Sequence, residues 1–137
     1  MRGDGTAEVV IGTLSAGMGH ATSFAQLIHE WLGISVDRVS IVSHDTDLLG
    51  PGAGGGSHSG RSMRMAGITI HKASQGIVAK ALKLAAQDLE ASEADIAFAA
   101  GRFTVKGTDR SVGLVELAAR HGALADAGDA NVRVGSY

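Results

Sequence analysis

Cysteine is absent from this sequence of 137 residues, which excludes a disulfide framework, a thiol nucleophile and an iron–sulfur site. Aromatic residues make up only 4%, so a core has to be assembled from Val, Ile, Leu, Ala and Met. No apolar run approaches the roughly 18 residues of a membrane span. The opening Met1-Arg2-Gly3-Asp4-Gly5 has none of the apolar stretch that a cleaved signal peptide carries. A formal charge of −2 leaves no basic footprint, which argues against nucleic acid as a partner. These absences point to a cytoplasmic chain with neither membrane nor nucleic acid among its partners.

What is present suits one domain. Apolar residues reach 45% and charged residues 19%, and a chain of this length can bury about two-thirds of the surface that its unfolded form exposes. Glycine occurs 20 times against a single proline, and residues 50–56 alone hold five of those glycines. Glycine concentrated in one place marks backbone that turns sharply or approaches a ligand closely.

Along the chain, Asp4-Gly5 is a favoured hairpin-turn pair followed by a β-branched run over residues 7–14. The missing first arm of that hairpin leads us to expect a chain that starts inside a larger assembly. Phe24, Leu27, Ile28, Trp31 and Leu32 then fall on one helical stripe that Gly33 can end. Residues 39–42 read as a strand running into a polar segment, 43–47. After the glycine-rich loop a helix is expected from near Arg61, clear at Val78, Leu82, Ala85 and Leu89. Its first half is weakened by Gly67, Gly76 and the β-branched run 68–70. Residues 96–99 and 102–105 form a hairpin through Ala100-Gly101, and Ser111 is a candidate cap for a short helix with Leu114, Leu117 and Ala118. From Gly122 the chain is small and polar, with one weak strand candidate at 132–134. The expected organisation is an α+β unit over 1–121, in the order strand, helix, strand, helix, hairpin, helix, with a weakly structured tail over 122–137.

Two glycine motifs carry candidate chemistry. Gly17, Met18, Gly19 and His20 stand between a strand and a helix, where unpaired amides and the positive end of the helix dipole attract anions. Thr22 stands where a dinucleotide fingerprint has its third glycine. Gly56, Ser57, His58, Ser59, Gly60, Arg61 and Ser62 nearly complete a phosphate-binding P-loop from Gly55, with arginine in place of lysine. A guanidinium does not duplicate a compact ammonium, and about a dozen residues separate this loop from its strand. Three hydroxyls beside an arginine at a helix start point to an anion site, with a flexible surface loop as the alternative. None of the six histidines pairs with another at i+3 or i+4, so no protein-ligated metal is expected. Asp45 and Asp47 are either a carboxylate pair or a solvated loop.

Together these motifs resemble the large subunits of molybdenum hydroxylases, the family of xanthine dehydrogenase, aldehyde oxidase and carbon monoxide dehydrogenase. Residues 12–20, followed by Thr22, Phe24, Ala25 and Gln26, are similar to the family's G-T-x-S-x-G-Q-G-H-x-T-x-x-A-Q segment. Residues 43–47 resemble its G-D-T-D segment, and 54–67 its second glycine-rich loop and following helix. The resemblance implies an oxidoreductase segment that binds molybdopterin, in bacteria often as the cytosine dinucleotide. It implies that backbone amides of Gly17 to His20 approach the cofactor and that Ser57 to Ser62 wrap its other side.

The sequence departs from the family at Met18, where the family has glutamine, and at Ala21, where glutamate is common. The family's catalytic glutamate belongs to a G-x-G-E-type motif near the large subunit's C-terminus, and nothing here matches it. We therefore expect no catalytic residue in this chain, inactivity in isolation, and partners among the remaining segments or subunits of a hydroxylase, with a homo-oligomer as a further expectation. The alternatives are a degenerate P-loop nucleotide binder and a non-catalytic assembly module.

Overall fold

The computed structural model describes residues 1–43, 45–49 and 56–122. Strand β1 (Ala7–Ile11) leads into helix α1 (His20–Leu32), which returns the chain to β2 (Val39–Ser43). The short α2 (Thr46–Leu49) and the long α3 (Arg61–Asp88) follow. Then β3 (Ile96–Ala99), β4 (Arg102–Val105) and β5 (Ser111–Gly113) precede α4 (Leu114–His121). The architecture is α+β.

β1 and β2 pair in parallel, Ala7 opposite Val39 and Ile11 opposite Ser43, with α1 as the crossover that parallel pairing requires. Alternation puts Ala7 and Ile11 in the core while Glu8 and Val10 face out. The expected strand over 7–14 stops at Ile11, because Gly12 turns the backbone away and releases residues 12–19 as a loop. The second sheet is an antiparallel meander, β3-β4-β5.

Helix α1 buries the expected stripe, with Phe24, Ile28 and Leu32 each at most 5% exposed. Burying a side chain of this kind contributes about 1.5–3 kcal/mol. Gly33 ends the helix in the left-handed region, its amide donating to the His29 carbonyl at 2.8 Å. His29 is engaged as well, its Nδ1 lying 3.0 Å from the Ile34 carbonyl oxygen.

Helix α3 is continuous through Gly67 and Gly76, where sequence propensity predicts a weak first half. Tertiary packing decides the matter. Ala66, Ile70, Ile77, Ala81 and Ala85 form one buried face along the helix, and Gly67 sits where the Leu27 side chain of α1 crosses it. Thr69 returns its hydroxyl to the Met65 carbonyl at 2.9 Å, so its β-branch leaves no polar group unmet. Phe103, Val112, Leu114 and Leu117 complete the same core from the meander and α4.

Two expectations are corrected. Ser111 does not cap a helix: it pairs with Thr104 as the first residue of β5, and α4 begins two residues beyond Val112, with Gly113 as its N-cap. The helix entry is instead tied by the Gly113 amide, which donates to the Glu116 carboxylate at 3.4 Å. Asp45 is not merely solvated, since its Oδ1 accepts from the amides of Asp47 and Leu48 at 3.0 and 3.1 Å and so caps α2. The strand candidate at 132–134 and residues 50–55 of the glycine run lie outside the described residues.

Candidate functional site

Beyond β1 the chain holds Thr13 in the interior, 8% exposed, and then carries Ala16, Gly17, Met18 and Gly19 out to solvent. Gly17 and Gly19 adopt φ of 92° and 70°, a region that a residue with a β-carbon enters only at a cost. A β-carbon built on either would meet nothing within 4 Å, so open space lies in front of this backbone. Gly19 is the N-cap of α1 and no side chain caps that end; the Ser15 hydroxyl reaches only the His20 amide, at 3.5 Å. No acidic residue stands in the first turn either. The amides that open a helix lack intrahelical partners, and here they carry the positive end of the dipole unneutralised.

α3 begins in the same way. Gly60, with φ of 71° and open space before it, is the N-cap, and neither a side-chain cap nor an acidic first turn is present. Ser59 just before it also has a positive φ, 48°. Arg61, half-buried, donates its amide to the His58 carbonyl at 2.8 Å, closing the loop into the helix.

Three hydroxyls join the two loops. Thr13 Oγ1 lies 2.5 Å from Ser62 Oγ and 3.2 Å from Ser57 Oγ, and the two serine oxygens are 2.7 Å apart. Ser57 also donates to the Leu14 carbonyl at 2.5 Å. The loop leading into α1 and the first turn of α3 are thereby held together across more than 40 residues of sequence.

Of the residues singled out from the sequence, Gly17, Met18, Gly19, Gly56, His58, Ser59 and Gly60 are exposed along the two loops. Ser57 and Ser62 turn their hydroxyls inward to Thr13, Ser62 being 4% exposed. The His20 ring is also turned inward. It is 9% exposed, stacks on Phe24 with centroids 5.1 Å apart, and its Nδ1 is buried with no hydrogen-bond partner. Met18 keeps 46% of its surface in solvent. Thr13 and the Leu14 carbonyl take part in this junction although sequence reasoning gave them no role; Thr13 stood inside the first motif but offered no separate signal.

Concavities elsewhere, one at Trp31, His71 and Phe98 and another at Asp88 and Arg110, involve neither loop. No group of three or more potential metal-ligating side chains is gathered among the described residues. No helix among them is long and apolar enough to cross a membrane.

Residues 1–136 match the family described as the molybdopterin cofactor-binding domain. The chain is 42% identical to the gamma subunit of the 6-hydroxypseudooxynicotine dehydrogenase complex of Paenarthrobacter nicotinovorans, over 84% of its own length and 14% of that protein. It is 39% identical to the carbon monoxide dehydrogenase large chain of Hydrogenophaga pseudoflava, over 77% of its length and 13% of the relative. Among solved structures, reconstituted CO dehydrogenase from Oligotropha carboxidovorans superposes with a TM-score of 0.80 at 36% identity, covering 87% of this chain and 15% of that one. Quinoline 2-oxidoreductase from Pseudomonas putida 86 follows with a TM-score of 0.68 at 27% identity, covering 88% and 15%. The chain thus spans about a seventh of the length of the relatives it matches.

Proposed function

Since the chain belongs to the molybdopterin cofactor-binding domain family, we propose that its two glycine loops are the cradle of that cofactor within a molybdenum-dependent oxidoreductase similar to CO dehydrogenase. The observation that carries this reading is the pair of open, uncapped helix starts at Gly19 and Gly60, tied together through Thr13, Ser57 and Ser62. The residues present fit the group. Side-chain-free backbone at Gly17, Gly19 and Gly60 faces open space, as a closely approaching ligand requires.

On this reading the backbone of Gly17, Met18, Gly19 and His20 lies along the cofactor from one loop, and Gly56, His58, Ser59, Gly60 and Arg61 from the other. Ser57 and Ser62 shape the second loop through their inward hydroxyls. Arg61 adds the positive charge that suits a phosphate-bearing tail, including that of a dinucleotide form. When bound, the molybdenum group supplies the redox chemistry. The chain's own residues bind and orient it, and we assign none of them a catalytic role. Substrate recognition and the base belong to other segments or subunits of the assembly.

The reading is tested by producing the full chain in a host that makes molybdopterin and measuring pterin fluorescence after oxidative release. Retention near one pterin per chain is expected. A folded chain that retains none would overturn the assignment.

A further inference from the structure

The hydroxyl cluster between the loops admits a count of hydrogens. Thr13, Ser57 and Ser62 bring one hydroxyl hydrogen each, and four contacts compete for them. The Leu14 carbonyl brings none, so Ser57 donates to it across 2.5 Å and is spent as a donor. Two hydrogens remain for the three contacts among the hydroxyls. At 2.5 and 2.7 Å two oxygens need a hydrogen between them, whereas 3.2 Å lies beyond the usual O–H···O range. The hydrogens therefore sit on the shorter contacts. Ser62 donates to Ser57, and Thr13 donates to Ser62. The cluster is a one-way chain from Thr13 through Ser62 and Ser57 to the Leu14 carbonyl, with Thr13 at its head.

We propose that Thr13 is a positioning residue for the cradle: by heading this chain it fixes the loop before α3 onto the loop before α1, so that both glycine loops keep one geometry. This rests on the cofactor reading for the identity of the ligand, while the chain itself rests on the contacts. Thr13 and Ser62 are both buried, at 8% and 4% exposure, so water does not readily replace a lost partner.

The direction of the chain makes the two ends unequal. Thr13→Val keeps the shape and leaves Ser62 short only of a donor, with every remaining hydrogen still placed. Ser57→Ala leaves one buried hydroxyl hydrogen without an acceptor whichever way the survivors turn, and it frees the Leu14 carbonyl as well. Ser57 also carries the contact to the Leu14 carbonyl, which Thr13 does not make, so its loss is the larger of the two.

The experiment follows amide hydrogen exchange in the full chain at Arg61 and Arg64, whose amides are bonded to the His58 and Gly60 carbonyls. Thr13→Val is expected to speed exchange there by about two- to tenfold, the scale of one hydrogen bond. Ser57→Ala is expected to speed it more, and Thr13→Ser, which restores the hydroxyl, to match the parent. Inorganic pyrophosphate is titrated into the same proteins, with affinity for Thr13→Val expected to fall by a similar factor and Thr13→Ser to recover it. Unchanged exchange in Thr13→Val, or Thr13→Ser as fast as Thr13→Val, would overturn the proposal, the second because a hydroxyl put back would then fail to restore the tie. Equal pyrophosphate affinity in Thr13→Val and the parent would also overturn the positioning role. A parent that binds no pyrophosphate counts against the cofactor reading instead, and the exchange rates still decide whether Thr13 holds the loops.

Discussion

Gly33 and Gly101 meet backbone to backbone: a β-carbon on Gly33 would lie 2.5 Å from the Gly101 nitrogen, and one on Gly101 would lie 2.9 Å from the Leu32 carbonyl oxygen. The C-terminal end of α1 is thereby seated on the β3–β4 turn, and the Gly101 carbonyl also accepts the Leu114 amide at 2.8 Å where α4 begins. This junction fixes α1 at the end opposite Gly19, so it bears on how the loop before α1 is held. Both glycines have left-handed φ, +67° and +77°.

Gly33→Ala and Gly101→Ala are each expected to lower stability by about 2–5 kcal/mol, combining the left-handed penalty with overpacking. Gly107 has φ of +75° with nothing within 4 Å, so Gly107→Ala should incur only the first part, about 1–2 kcal/mol. Urea unfolding midpoints at unchanged slope measure the difference. Equal costs at all three positions would show that the close approach is not tight.

Ala100 precedes Gly101 in the two-residue turn with φ of 47°, so both central residues are left-handed, as in a type I′ turn. Alanine is a poor choice there. Ala100→Asn should raise stability by about 0.5–1 kcal/mol, because asparagine tolerates this region. A drop in the unfolding midpoint would mean that the alanine methyl makes a contact worth more than the strain.

Ser74, 3% exposed within α3, has a buried hydroxyl with no hydrogen-bond partner. Ser74→Ala removes that unmet group and substitutes a better helix former, so a gain of about 1 kcal/mol is expected. Calorimetry should show a higher melting temperature. A loss of stability would reveal a partner, such as an ordered water.

The cradle is tested at neighbouring residues. Met18, 46% exposed, can become glutamine without disturbing the core. If the turn holds the cofactor, Met18→Gln should strengthen retention by about 0.5–1.5 kcal/mol, one net hydrogen bond. Gly19→Val should weaken retention, since the side chain would enter the open space before the backbone and resist its φ of 70°. Gly107→Val imposes similar backbone strain away from the loops and serves as control. Pterin content per folded chain is the measurement, and parity of all three with the parent would make the turn purely structural.

The sequence by itself determined the elements whose cause is local. The α1 stripe from Phe24 to Leu32 repeats at helical spacing, Ala100-Gly101 turns a hairpin in place, and glycines at 17, 19 and 60 mark positions of positive φ. Nearby side-chain and backbone preferences suffice for such features. Sequence misjudged cases where a partner from elsewhere tips the balance. Helix α3 runs through Gly67 because α1 packs on it, and Ser111 is a strand residue because β4 offers it a ladder. Asp45 was legible only as polar, since its capping role depends on α2 forming. What tertiary structure alone decided are the meetings of residues far apart in sequence: Thr13 with Ser57 and Ser62, and Gly33 with Gly101. Motif spacing named both loops as anion sites but could not show that one hydroxyl chain binds them together. Local sequence carries no term for a contact made 44 or 49 residues away, and it is the packing of α1 against α3 that brings those oxygens together.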